Sequence, residues 1–140
     1  MTRKASAVWQ GDLKGGKGTV SAASGVLKET PYSFNTRFEN APGTNPEELI
    51  AAAHAGCFSM ALSAELGKAG ITPDRIDTTA TLTLDKVDAG WSVTGIHLQT
   101  NVKIASGDRA KVPAIAEAAK AGCPISRLLN TKITMEAKVL

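Results

Sequence analysis

The stretch that decides the fold is NPEELIAAAHAGCFSMAL, residues 45–62. It begins with a capping box, in which an amide side chain precedes a proline and a glutamate follows three residues later; its members are Asn45, Pro46 and Glu48. From residue 49 to residue 62 the stretch is rich in alanine and carries no charged residue. A helix that is apolar on all sides is a buried one. We therefore predict a long buried helix over about residues 45–69, closed by Gly67 or Gly70.

Outward from this helix, apolar and polar residues alternate with the period of two that is typical of β-strands. Residues 1–42 predict short strands joined by turns, and the last of these strands covers residues 31–38. After the helix we predict two long strands with a bulge near Gly95, a small amphipathic helix, a short helix that begins at Cys123-Pro124, and a last strand. The long strands cover residues 75–86 and 91–104, and the amphipathic helix covers 108–121. The short helix starts at 123–124, and the last strand covers 133–139.

Length and composition limit the architecture to one globular domain. A chain of 140 residues has the size of a typical domain, and 43% hydrophobic with 21% charged residues is a globular composition. We predict a single α+β domain over residues 1–140, with strands in 1–42, the central helix, and strands with short helices in 74–140. Its sheet is expected to be largely antiparallel and to wrap the buried helix.

The charge pattern argues against extended anionic partners. The net charge is +3, and the Lys and Arg residues are scattered rather than clustered, so neither nucleic acid nor a membrane surface is predicted as a partner. Residues 1–9 lack the apolar region of a signal peptide. The uncharged stretch at 49–62 is shorter than the ~20 residues of a membrane span. We expect a soluble, cytoplasmic protein.

The two cysteines, Cys57 and Cys123, form neither a CxxC pair nor a paired zinc motif. A reducing compartment disfavours a permanent disulfide between them, which leaves packing or transient chemistry. Cys57 has apolar neighbours, and packing is its default interpretation. Cys123 stands directly before Pro124 at a predicted helix start, where the helix dipole and free N–H groups favour a thiolate.

Residues 11–18, GDLKGGKG, nearly match the phosphate-binding P-loop. Gly18 stands where that motif requires Ser or Thr, and a strand rather than a helix follows it. We interpret the segment as a hairpin loop and not as a nucleotide site.

A zinc site is a further possibility. His54 and Cys57 lie one helical turn apart, and His97 and Cys123 complete a set of four ligands. The spacing lacks the paired ligands of typical zinc motifs, so packing remains the competing interpretation.

Two charged residues near the helix start have ordinary explanations. Because Glu48 takes part in the capping box, Glu47 is the spare carboxylate of the first turn. Arg37 lies on the polar face of the predicted strand 31–38, where a solvated side chain is the default. Composition and spacing alone thus predict an α+β domain with two thiols of open role.

Several segments are similar to the OsmC/Ohr family: FNTRFE at 34–39, GTNPEELI at 43–50, AAHAGCFSMAL at 52–62 and KAGCP at 120–124. The resemblance extends over nearly the whole chain. His54 before Cys57, and Arg37 ahead of the helix, resemble the OsmC branch rather than the Ohr branch.

The resemblance implies a thiol-dependent peroxidase that reduces organic hydroperoxides to alcohols without metal, haem or flavin. It implies that Cys57 attacks the peroxide, that Cys123 resolves the product as a disulfide, that Arg37 lies against the Cys57 sulfur, and that Glu47 holds Arg37. It also implies an intertwined homodimer with active sites at its interface. The reductant would be a dithiol, commonly a protein-bound lipoyl group.

This chemistry is consistent with thiol reactivity. A free thiol with a pKa near 8.5 is about 3% thiolate at pH 7, and an arginine that lowers the pKa to about 6 makes it roughly 90% thiolate. Phe58 and Met60 beside the thiolate favour an alkyl hydroperoxide over hydrogen peroxide. Glu47 and Cys57 are separated by about 15 Å along one helix, so a Glu47 that orients an arginine at Cys57 belongs to a partner chain.

Two alternatives remain open on the residues alone. The first is a non-catalytic, stress-associated binding module on the same fold, whose thiols react at ordinary rates. The second is a metal-bound thiol protein that uses His54, Cys57 and Cys123 as ligands.

Overall fold

The computed structural model describes all 140 residues and divides them into two compact units, Met1–Leu49 and Ile50–Leu140. The first contains β1 (Ala5–Gln10), β2 (Lys17–Ala22), β3 (Thr30–Tyr32), α1 (Phe34–Phe38) and the start of α2 (Pro46–Lys68). The second contains the rest of α2, β4 (Pro73–Val87), β5 (Gly90–Ile104), a 3₁₀ turn (Arg109–Lys111), α3 (Val112–Gly122), α4 (Pro124–Leu128) and β6 (Lys132–Val139). The α+β class is confirmed; the extent of the domain stays a prediction.

In the N-terminal unit, β1, β2 and β3 form an antiparallel sheet. The glycine-rich segment at 11–16 is the loop between β1 and β2, as predicted. Gly18 lies in β2, where a Cβ atom would come within 2.8 Å of the Trp9 ring and 2.5 Å of the Tyr32 ring. Close packing under these two aromatic rings therefore explains the glycine without a phosphate.

The prediction of one strand over 31–38 is wrong, because β3 stops at Tyr32 and the helix α1 follows. Ser33 caps that helix: its hydroxyl accepts from the Thr36 N–H at 3.2 Å, and the Thr36 hydroxyl accepts from the Ser33 N–H at 2.8 Å. This reciprocal pair is a capping box. Arg37 consequently lies on a helix and not on a strand.

The long helix α2 begins and ends largely as its sequence predicts. The Asn45 side chain accepts from the Glu48 N–H at 2.8 Å, whereas the Glu48 carboxylate accepts from the Thr44 hydroxyl at 2.6 Å. At the far end, Gly70 has a φ of +75° and the Ile71 N–H donates to the Leu66 carbonyl at 2.9 Å. This left-handed turn is the usual reason for a glycine after a helix, so Gly70 closes α2.

Within one chain, α2 is buried along a single stripe rather than on all sides. The stripe is spaced by four residues and consists of His54, Phe58, Leu62 and Leu66. Other apolar positions are open, and Met60 is 77% exposed. The helix is long and apolar enough to cross a membrane, and core helices of soluble proteins can have the same length and composition.

The C-terminal unit contains a sheet in the order β4-β5-β6 and the hydrophobic core. Strands β4 and β5 are antiparallel, with a register shift between Thr83 and Leu84 that confirms the bulge near Gly95. Strands β5 and β6 are parallel, which the sequence did not predict. The core joins α2, β5 and α3 through residues including Leu62, Leu98, Val102 and Ala116. This core fixes the part of α2 that carries Cys57.

Candidate active site

The two cysteines meet in the C-terminal unit. Cys57 lies on α2, and Cys123 stands at the N-cap of α4. Their sulfurs are 3.1 Å apart, and both thiols are free. Cys123 is fully buried, whereas Cys57 is partly exposed. A small approach of the sulfurs would form a disulfide of about 2.05 Å, and only Cys57 is open to a reagent from solvent.

The two thiols differ in the direction of their pKa shifts. Burial and the hydrogen bond with Cys123 raise the pKa of Cys57, against an opposing hydrogen bond from the Ile125 backbone. Burial also raises the pKa of Cys123, but hydrogen bonds with the Ser126 backbone, Cys57, the Ser126 hydroxyl and the Ile125 backbone lower it overall. The lowered pKa agrees with the prediction from its place before Pro124. These contacts therefore favour the thiolate of the buried Cys123 over that of Cys57. A cation beside Cys57 is needed to favour the Cys57 thiolate.

His54 lies one helical turn before Cys57 and is fully buried. Its Nε2 atom is 2.8 Å from the Ser126 hydroxyl oxygen, and its Nδ1 atom is buried without a hydrogen-bond partner. Burial lowers the pKa of His54, which keeps the ring neutral at pH 7. The sequence analysis did not single out Ser126, although its place three residues after Cys123 returns it to the same face of α4.

Arg37 and Glu47 meet in the N-terminal unit, within one chain. The Arg37 Nε and Nη2 atoms lie 2.8 and 2.7 Å from the Glu47 Oε1 atom. The Glu47 side chain is 15% exposed, and its Oε2 atom is buried without a hydrogen-bond partner. Helix α1 and the first turn of α2 thus hold the guanidinium through one carboxylate oxygen.

An apolar cavity of about 270 Å³ adjoins Arg37 in the same unit. It is lined by Trp9, Leu13, Tyr32, Ser33, Phe34, Arg37, Phe38 and Pro46. The Arg37 guanidinium lies 5.2 Å from the centre of the Phe38 ring, within the range of a cation–π contact. By contrast, Phe58 is fully buried and cannot contact a substrate. The aromatic cavity is a set of apolar contacts that the sequence analysis missed.

The four predicted site residues therefore come together as two pairs, one in each unit. The other candidates lie elsewhere: His97 is on β5, where its Nδ1 atom is 2.7 Å from the Thr134 hydroxyl. No group of three or more His, Cys, Asp or Glu side chains in the chain could hold a metal ion.

Three comparisons with known proteins bear on this arrangement. The profile of the family described as OsmC-like protein matches residues 38–138. Peroxiredoxin OsmC of Escherichia coli is 58% identical over 134 residues, covering 96% of this chain and 94% of that protein. Organic hydroperoxide resistance protein OhrB of Bacillus subtilis is 33% identical over 129 residues, covering 89% of this chain and 93% of that protein. The structure of an OsmC-like protein of unknown function from Vibrio cholerae matches 98% of this chain and 99% of that one, with a TM-score of 0.78 and 17% identity, a likeness of fold.

Proposed function

The chain belongs to the OsmC-like protein family, and from this premise we propose that it is a thiol-dependent peroxidase that reduces organic hydroperoxides to alcohols. The observation that carries the proposal is the pair of free sulfurs 3.1 Å apart, one of them accessible and the other buried. This is the arrangement that a two-cysteine cycle requires. The names of the two curated relatives, a peroxiredoxin and a hydroperoxide resistance protein, support the same chemistry.

The proposed cycle has three steps. The Cys57 thiolate attacks the peroxide, the O–O bond breaks, and the alkoxide leaves as alcohol after taking a proton, which leaves Cys57 as a sulfenic acid. Cys123 then attacks the Cys57 sulfur, and the hydroxyl group leaves as water when the disulfide forms. An external dithiol reduces that disulfide by exchange and restores both thiols.

We assign the activation of Cys57 to Arg37 of a second chain. The helix carries Glu47 about 15 Å from Cys57 along its axis, and Arg37 is bound to that same Glu47. An Arg37–Glu47 pair from a partner chain is not subject to this separation along a single helix. A guanidinium there lowers the pKa of Cys57 and stabilises charge on the departing oxygen.

A homodimer fits the surfaces that one chain leaves open. Every residue of β1 is exposed, as are several apolar positions of α2, among them Met60. The buried Glu47 Oε2 atom also lacks a donor within the chain. We propose that a second copy covers these groups, since large exposed apolar surfaces mark association sites.

The aromatic cavity beside Arg37 suits the carbon group of an organic hydroperoxide. Its lining is mostly apolar, and Arg37 is the group that would bind the peroxide oxygen. A substrate with a large alkyl or aryl group gains contacts there that hydrogen peroxide lacks. We propose a protein-bound lipoyl group as the reducing dithiol and the reducing cytoplasm as the location, where free thiols persist.

The test is a titration of free thiols before and after one equivalent of cumene hydroperoxide is added to the reduced protein. We expect both thiols of each chain to disappear and a dithiol to restore them. Cys123→Ser is the matched control: it should lose its one remaining thiol as a sulfenic acid and form no disulfide within the chain. If both thiols of the unchanged protein persisted, the cysteines would be packing residues and the protein a non-catalytic member of the fold.

A further inference from the structure

The proposed cycle leaves one buried titratable group without a role, namely His54. Its ring is fully buried in the apolar stripe of α2, in a row that otherwise consists of Phe58, Leu62 and Leu66. A buried ring with one unpartnered nitrogen is less favourable there than an apolar side chain. Its hydrogen bond goes to Ser126, on the helix that Cys123 caps. The position therefore serves something other than packing.

The direction of the hydrogen bond between His54 and Ser126 depends on which group receives the Ser126 hydroxyl proton. A neutral imidazole carries one N–H, and the Ser126 hydroxyl has a single proton to donate. If that proton is donated to the Cys123 sulfur, the Ser126 oxygen accepts from His54, and Nε2 carries the hydrogen. The unpartnered Nδ1 atom is then a bare acceptor, which is easier to leave unpaired in the interior than a buried N–H. The three groups form a chain of donors that ends at Cys123.

We propose that His54 is a positioning residue for the resolving step, in which it holds the Ser126 hydroxyl so that this hydroxyl donates to the Cys123 sulfur. The inference rests on the proposed function and adds two residues to it. The Ser126 hydroxyl is a hydrogen-bond partner of the Cys123 thiol that lowers its pKa, and His54 acts through Ser126. Burial raises the pKa of Cys123, and the Ser126 hydroxyl is one of four hydrogen-bond partners that lower it.

The step balances without any additional reagent. The Cys123 thiol releases its proton, and the thiolate forms the S–S bond at the Cys57 sulfur while the S–O bond of the sulfenic acid breaks. The departing hydroxide takes up one proton and leaves as water. Cys123 is oxidised, the sulfenic sulfur is reduced, and the donor chain returns to its starting state.

The charged side chains on the elements around Cys123 are largely paired or exposed. Glu117 and Lys120 on α3 form an ion pair at 2.8 Å, and Glu65 and Lys68 on α2 form another at 2.6 Å. Arg127 on α4 is exposed. The titratable groups that contact the Cys123 sulfur directly or through Ser126 are thus Cys57 and His54.

The experiment measures the two chemical steps separately in stopped flow, with cumene hydroperoxide as the probe, from about pH 6 to about pH 11. Sulfenic acid formation reports Cys57, and disulfide formation reports Cys123. For Ser126→Ala and for His54→Phe, we expect the ratio of the disulfide-forming rate to the sulfenate-forming rate to fall about tenfold at pH 7, the effect of a shift of one pKa unit. The loss should vanish above about pH 10, where Cys123 is a thiolate in every variant.

Three controls distinguish positioning from damage to the fold. Ser126→Thr keeps the hydroxyl and should restore the ratio. Ser59→Ala removes a different hydroxyl, one on α2 that donates to the Thr78 hydroxyl, and should leave the ratio unchanged. The double variant of His54 and Ser126 should lose no more than either single variant, because both act through one hydrogen-bond chain.

The outcomes separate the inference from the function on which it rests. An unchanged ratio in Ser126→Ala would overturn the role of the donor chain while the peroxidase function stood, and so would a loss that is equal at every pH. Absence of sulfenic acid in the unchanged protein would overturn the proposed function itself. Should His54→Phe fail to fold, Ser126→Ala decides the question, since its side chain is only partly buried.

Discussion

The two units of the chain differ in how their functional residues are supported. In Ile50–Leu140, the cysteines lie against a core of fully buried side chains that includes Phe58, Leu98 and Val102. In Met1–Leu49, the buried residues are Gly18, Thr36 and Thr44, and the whole of β1 is exposed. The thiols are therefore positioned by the core of their own chain. The Arg37–Glu47 pair lies in a unit with few buried residues, which we expect a second molecule to cover.

The largest expected effect tests this difference in packing. Leu62→Ala removes a fully buried side chain of the C-terminal unit and should lower the free energy of unfolding by about 2–5 kcal/mol. Leu13→Ala makes the same chemical change at a side chain that is 64% exposed in the N-terminal unit and should cost less than about 0.5 kcal/mol. Urea unfolding at equal chain concentrations measures both. Equal losses would mean that the N-terminal unit is packed as firmly as the other.

The next effect asks whether Arg37 and Cys57 act at one site and come from different chains. Arg37→Ala should lower kcat/KM for cumene hydroperoxide by about 10²-fold, the scale of a lost donor to a developing oxyanion. Cys57→Ser should abolish turnover because the nucleophile is gone. When the two variants are unfolded together and refolded at equal amounts, half of the proposed homodimers are mixed and carry one intact site each. Activity should therefore return to about a quarter of the unchanged protein.

Two results of that mixing would contradict the arrangement. If no activity returned, Arg37 and Cys57 of one site would belong to one chain. If each variant alone kept full activity, neither residue would take part in the reaction. Arg75→Ala is the matched control, since Arg75 pairs with Asp77 on the exposed part of β4 and should not change turnover.

The smallest effect concerns the histidine that the C-terminal core encloses. Burial lowers the pKa of His54 below its unfolded value near 6.5. Above pH 6.5 the His54 ring is neutral in the folded and in the unfolded chain, so burying it carries no cost of losing a proton. As the pH falls below 6.5, the unfolded chain binds a proton that the folded chain excludes, so stability declines by up to about 1.4 kcal/mol per pH unit.

Urea unfolding at pH 7.5 and pH 5.5 measures this decline. His54→Phe should flatten it relative to the unchanged protein, whereas His97→Phe, at an exposed ring on β5, should leave it in place. An identical pH dependence in the protein with and without His54 would show that the buried ring is protonated as readily as a free one.

Local signals explain which parts of the fold could be predicted. The Asn45 cap of α2 and the alternation in β4 and β5 depend on residues close in sequence, and both were predicted correctly, although the Glu48 carboxylate accepts from Thr44 rather than completing the predicted capping box. The Ser33–Thr36 cap is equally local, but it was hidden because residues 31–38 also alternate aromatic and polar side chains. The parallel pairing of β5 with β6 depends on packing across the chain, which no short pattern encodes.

The candidate site divides in the same way. The local placement of Cys123 at a helix start predicted the lowered pKa of its thiol. The 3.1 Å approach of its sulfur to Cys57 results from tertiary packing, and the resemblance to a family, not the spacing, pointed to that pair. His54 and Ser126 are 72 positions apart in the sequence and lie on different helices, so their contact too appears only in the folded chain.

The closeness of the two sulfurs has a consequence for survival in excess peroxide. A sulfenic acid that meets a second peroxide molecule becomes a sulfinic acid, which most proteins cannot repair. In the proposed cycle Cys123 already lies 3.1 Å from Cys57, so closure of the disulfide needs no large rearrangement of either helix. Ring closure is then an encounter within one molecule, whereas over-oxidation must wait for another collision. The same contact that converts the sulfenic acid to a disulfide thereby protects the enzyme from the reagent that it destroys.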